Sequence, residues 1–167
     1  SGDQRNDIIV RGNSPMGVLW RVEGLDIPSP NHFTQQGANG GPVSILNNNL
    51  ITNSDFFTGA FPAEYGNALS GVFDIKMRKG NNEKHEFIGQ IGMNGAELSA
   101  EGPFSKAHRG SYLMSYRYST LEIFDKMGIS FGTAGVPKYQ DLSFKVLLPT
   151  EKAGIFSLFG IGGKSDI

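Results

Sequence analysis

Cysteine is missing from all 167 residues. Disulfide staples, thiolate nucleophiles and cysteine metal ligands are thereby excluded. Neither sign of charge is in excess: 15 Lys and Arg face 16 Asp and Glu, for a formal net charge of -1. With no net field to draw it onto phosphate backbones, the chain is not expected to bind nucleic acid. No apolar run reaches the length of a membrane-spanning helix, and no basic-then-apolar signal peptide opens the chain. Histidine is scarce, and His32, His85 and His108 have no second His at i+3 or i+4 and no acidic residue at a ligand spacing. No metal centre is therefore expected. Phosphate-cradling loops, the dinucleotide fingerprint and the G-x-S-x-G elbow are also missing, so neither an enzyme nor a cofactor is expected.

What is present is glycine, at 23 residues, with 12 Phe and 5 Tyr. That balance favours strands and tight turns over helices. Ile8-Ile9-Val10-Arg11-Gly12 is a β-branched run ended by Gly, and Val18 to Gly24 alternates with Val18, Trp20 and Val22 on one face. Leu25-Asp26-Ile27 follows. The polar stretch from Pro28 to Pro42 is long enough to predict a functional or disordered loop. Pro42 before Val43-Ser44-Ile45-Leu46 predicts a short helix stopped by Asn47-Asn48-Asn49. Gly59 to Gly71 is a glycine-punctuated turn feeding the strand Val72 to Arg78, with Phe73, Ile75 and Met77 on one face and Asp74, Lys76 and Arg78 on the other. Phe56, Phe57 and Phe61 are expected to pack the core of this half.

From His85 onward the pattern alternates strictly, which places a boundary in residues 79–84. Asn94-Gly95 predicts a type I′ hairpin pairing Met93 with Ala96, Ile91 with Leu98 and Gly89 with Ala100. Phe87, Gly89, Ile91, Met93, Ala96, Leu98 and Ala100 then share one face. The dyad continues as Tyr112, Met114, Tyr116 and Tyr118 against Ser111, Ser115, Arg117 and Ser119, and as Leu142, Phe144, Val146 and Leu148 against Asp141, Ser143 and Lys145. Leu113 and Leu147 break the rule. A half-wet soluble sheet and a barrel wall produce the same alternation, so periodicity alone does not distinguish them. Glu97 and Glu101 read as members of a solvated face rather than an acid-base pair. Ser119-Thr120-Leu121-Glu122 is a capping-box pattern, predicting a short helix over Leu121 to Met127.

Three segments occur in a telling order: Ile8 to Gly12, Val22-Glu23-Gly24-Leu25-Asp26-Ile27, and Gly59 to Arg78 with its Tyr65-Gly66 and Gly71-Val72. Together they resemble the plug domain of TonB-dependent outer-membrane receptors. Glu101 to Phe104, Gly110 to Tyr112 and Tyr116 to Ser119 are similar to the first barrel strands of that family. The resemblance implies an α+β, mostly β chain: a small mixed-sheet plug over residues 3–82, its N-terminal part missing, then antiparallel strands from the start of an outer-membrane β-barrel over 83–167. Ser1-Gly2 reads as a cloning scar, and nothing before Asp3 resembles a TonB box, so a fragment is expected.

The family resemblance implies a receptor in the cell outer membrane that imports a scarce small solute, whether siderophore, vitamin, glycan or peptide. Its implied partners are that solute, a TonB-type periplasmic energy-coupling protein and outer-membrane lipid. Apical-loop residues Arg11, Asn13, Asn31, His32, Phe33 and Gln35 are the candidate substrate contacts. For Arg11 a structural pairing with a carboxylate such as Glu64 is the favoured reading, and His32 is more readily a surface-loop histidine than a ligand. The alternative function is a soluble β-rich carbohydrate-binding or adhesion module.

Overall fold

Alternation in Val18-Leu19-Trp20-Arg21-Val22 produces the first described strand, and the chain reverses at once through Glu23 and Gly24, with φ of 51° and 86°. Positive φ at both central residues is the I′ geometry that suits a tight hairpin. Glu23 supports this turn from both sides: its N–H donates to Ile75 O at 2.9 Å and its Oε1 accepts the Met77 N–H at 2.5 Å. The computed structural model describes residues 10–12, 17–32, 43–59, 61–66, 68–92, 95–105, 109–119, 126–128 and 138–166. It divides into two compact units, Ser1–Arg78 and Lys79–Ile167, where residues 82 and 83 were the expected boundary.

In the first unit the strands are β1 (Val18–Val22), β2 (Leu25–Ile27), β3 (Asn31–His32), β4 (Val43–Ser44), β5 (Asp55–Phe57) and β6 (Gly71–Ile75). The order β2-β1-β6-β5 makes a mixed sheet, because β1 and β6 run parallel while β2 and β5 pair antiparallel at the edges. Both faces are packed. On one face Trp20 stacks on Phe73 at 4.4 Å between ring centroids, and Phe56 stacks on Phe73 at 4.2 Å. On the other, Leu19, Val72 and Tyr65 form a buried cluster joined by Phe57, Phe61 and Ala68. Phe57 and Phe61 thus pack as expected, whereas Phe56 stays largely exposed at the sheet edge.

The predicted helix after Pro42 is not there. Val43 and Ser44 pair with His32 and Asn31, and helical geometry starts only at the 3-10 turn Asn48–Leu50, capped by Asn47 Oδ1 accepting from Asn49 N at 2.8 Å. Ser44 explains the outcome: its hydroxyl donates to Pro30 O and accepts from Leu46 N, contacts that compete with a helical turn. A second 3-10 turn spans Ala63–Tyr65. The helix expected over Leu121 to Met127 falls mostly outside the described residues.

The second unit is an antiparallel meander of β7 (Glu86–Gly92), β8 (Gly95–Ser105), β9 (Gly110–Tyr118), β10 (Lys138–Thr150) and β11 (Gly154–Asp166), each paired with its chain neighbour. The hairpin register differs from expectation by two residues: Ile91 pairs with Ala96 and Gly89 with Leu98, leaving Met93 and Asn94 between the strands. A two-residue slip returns every side chain to its own face, so the predicted facing survives the wrong register. Gly95 lies in the ladder opposite Gly92, and a Cβ there would come within 2.5 Å of the Tyr139 hydroxyl. Gly160 has the same role under the Phe144 ring, whose nearest carbon would be 2.5 Å from a Cβ.

Candidate functional site

Cross-strand register turns the polar face of the second sheet into parallel rows. Gln90, Glu97, Arg117, Asp141 and Gly163 form one row; Ile88, Ser99, Ser115, Ser143 and Ile161 form the next; Glu86, Glu101, Leu113, Lys145 and Phe159 form a third. In the first row Arg117 grips Asp141 bidentately, Nε to Oδ1 at 2.9 Å and Nη2 to Oδ2 at 2.8 Å. The fork geometry and burial of Asp141, 3% exposed, make this the strong kind of ion pair. Glu97 Oε1 accepts from Ser99 Oγ at 2.8 Å, and the Ser99 and Ser115 hydroxyls lie 3.0 Å apart. Ser143 Oγ, next in the serine row, is buried with no hydrogen-bond partner. A recess of about 300 Å³ opens at one end of the first row, with Gln90, Glu97, Arg117 and Tyr139 among its lining.

This polar face is the buried one. Ser115 is 2% exposed, and Glu101 and Lys145 are buried as well, while Leu98 is 69%, Phe87 76% and Ile91 86% exposed on the opposite face. Glu101 is therefore not on a solvated surface; its Oε2 accepts the Asn81 N–H at 2.8 Å. Leu113, the exception to the dyad, lies fully buried among these polar rows. The sheet is inverted relative to a water-soluble one, in which the apolar face would be covered.

The first unit holds a different polar constellation. Arg21 Nε donates to Asp26 Oδ1 at 2.8 Å and its Nη2 to Glu64 O at 3.0 Å, while the guanidinium lies 4.5 Å from the centre of the Tyr65 ring. Tyr65 in turn donates to Asp74 Oδ2 at 3.0 Å, and Asp74 Oδ1 is buried without a partner. Burial, then the hydrogen bond to Asp74 and its charge, push the Tyr65 phenol up to about 12. Arg21 thus reaches the main-chain oxygen of Glu64, a different contact from the carboxylate pairing expected for Arg11. Only the register of β1 beside β6, which sets Arg21 opposite Asp74, could have revealed it.

Arg11 lies instead against Gly59, where a Cβ would stand 3.3 Å from its Nη1. Asn31 and His32 are strand residues, and His32, at 3% exposure, is not a surface-loop histidine. Pairing of β3 with β4 removes both from the open loop expected between Pro28 and Pro42. Asn13, Phe33 and Gln35 lie outside the described residues. Of the six candidates the structure thus describes three, Arg11, Asn31 and His32. Among the described residues no group of three or more His, Asp or Glu could hold a metal ion, and no helix is long and apolar enough to cross a membrane, which does not bear on spanning by strands.

These observations define a mostly β chain with a mixed sheet in one unit and an inverted antiparallel sheet in the other. No protein-family profile, curated protein or solved structure matches it.

Proposed function

We propose that the chain is part of a TonB-dependent outer-membrane receptor, its first unit serving as plug and its second as the opening strands of the barrel wall. The inverted polarity of β8 to β10, polar where buried and apolar where exposed, carries this reading. A wall that faces lipid outside and a polar lumen inside needs apolar residues on its exposed face and charges on the other. Strand length supports it: β10 and β11 have 13 residues each, which at about 3.3 Å per residue and a tilt near 45° rises roughly 30 Å, the thickness of a hydrocarbon core. Aromatic residues mark both ends of the exposed face, with Tyr116 and Tyr118 towards one and Tyr112, Phe104 and Phe156 towards the other. Girdles of that kind flank the apolar band of membrane barrels. Solute import driven by a TonB-type periplasmic partner follows from the ordered plug motifs alone.

Lysine substitution tests the reading directly. In phosphatidylcholine vesicles, Leu98→Lys and Leu142→Lys should each lower the resistance of the folded chain to urea by about 2–4 kcal/mol, the cost of a cation on a lipid face. A chain that is monodisperse and monomeric in plain buffer, with both variants neutral, would leave the soluble binding module as the better account.

A further inference from the structure

We propose that residues 80–84 form a strap that fastens the start of the second unit to its own sheet and so narrows the joint between the two units to Lys79. By residue type, Lys79-Gly80-Asn81-Asn82-Glu83-Lys84 reads as a flexible connector. Its contacts are those of a fixed one. The Asn81 N–H donates to Glu101 Oε2 at 2.8 Å, and Glu101, on β8, is 7% exposed. Asn81 Oδ1 accepts from Glu83 N at 2.9 Å and from Lys84 N at 3.2 Å, which closes a turn over the residues that follow. Gly80 lies so close over β9 that a Cβ there would collide with the Tyr112 carbonyl. On the other side of Lys79 the chain is held within the first unit: Arg78 N donates to Leu50 O at 2.8 Å, its Nε to Asn49 O at 2.6 Å, and Met77 N to Glu23 Oε1.

The strap thus engages β8 and β9 before the chain has entered β7. A load placed on Arg78 passes to Glu101 and to the Tyr112 carbonyl with little slack. Released, residues 80–84 would span roughly 17 Å, since an extended chain covers at most about 3.3–3.6 Å per residue. Fastened, they deny the first unit that reach. The strap itself rests on contacts within the second unit, whereas its role as the tether of a plug rests on the receptor reading above.

The test is limited trypsin digestion of the full chain in nonionic detergent, with cleavage after each lysine followed by mass spectrometry. Lys79 and Lys84 are exposed, so their bonds resist only as far as the backbone is held. Both should be cut about a hundredfold more slowly than in a free peptide of residues 76–88. Where reclosing is fast, the rate tracks the open population, so weakening the strap should show directly. Gly80→Ala, which crowds the Tyr112 carbonyl, and Asn81→Ala, which removes the Oδ1 acceptor, should each speed cleavage after Lys84 about fivefold or more. Asn82→Ala, exposed beside them, should change it by less than about twofold. Cleavage after Lys145, buried in β10, reports opening of the whole sheet and should stay slow throughout. Peptide-like cleavage of the unaltered chain, no rise in Gly80→Ala and Asn81→Ala, an equal rise in Asn82→Ala, or a rise after Lys145 in step with Lys84 each overturns the strap. None of these results touches the receptor reading, which falls instead if Leu98→Lys and Leu142→Lys are neutral.

Discussion

The sheet β2-β1-β6-β5 buries Val22, Val72 and Ile75 and leaves Asp26 and Asp55 exposed, whereas β7 to β11 bury Ser115, Asp141 and Lys145 and expose Ile91, Leu98 and Leu158. Both are built from alternating strands of ordinary β geometry. The first gains stability in water by removing apolar surface from solvent. The second cannot, and its order on the buried side depends on charges and hydroxyls finding partners. One chain thus carries two solvation rules, and alternation by itself is neutral between them.

The sharpest way to break this comparison is to remove one side of the buried ion pair. Asp141→Ala removes the bidentate carboxylate from Arg117 and should destabilise the second unit by about 3–5 kcal/mol, measured by urea unfolding in detergent. A loss below about 1 kcal/mol would mean the pair is no more than a surface bridge. Next in size is a matched leucine pair. Leu50→Ala, at a fully buried site of the first unit, should cost about 2–5 kcal/mol, while Leu98→Ala should change stability in plain buffer by less than about 0.5 kcal/mol. Similar losses at both sites would remove the contrast between the sheets.

The smallest expected effect is an alkaline one confined to the first unit. Tyr65 titrates near 12 when folded against an ordinary value of 10.0. Its contribution is complete below pH 10 and is lost as pH rises towards 12, since the unfolded phenol gives up its proton first. Trp20, the single tryptophan, stacks in that sheet and reports its unfolding by fluorescence. The midpoint should fall across this window, and more steeply than in Tyr65→Phe; parallel profiles would remove Tyr65 as the cause.

Facing was legible in the sequence because a period of two survives any even slip, and the dyads of Tyr112 to Tyr118 and Leu142 to Leu148 appear as read. Register was not, since Gly95 pairs with Gly92 in the ladder and lies close under Tyr139, a residue distant in sequence. The Glu23-Gly24 segment was legible as a strand motif, but its support of Met77 N is a contact across half a domain. His32 was misread because a polar neighbourhood in sequence says nothing about the strand that Val43 and Ser44 bring alongside it.

The parallel pairing of β1 with β6 also has a consequence for the order of assembly. Val18 meets Gly71 only after the intervening chain has closed on itself, an entropic toll that adjacent hairpins avoid. Each strand of the meander needs only its immediate predecessor, so its ladders can zip hairpin by hairpin on a timescale of about 1–10 μs per step. Of the two units, the one that comes second in the chain is therefore the one whose topology permits the faster start.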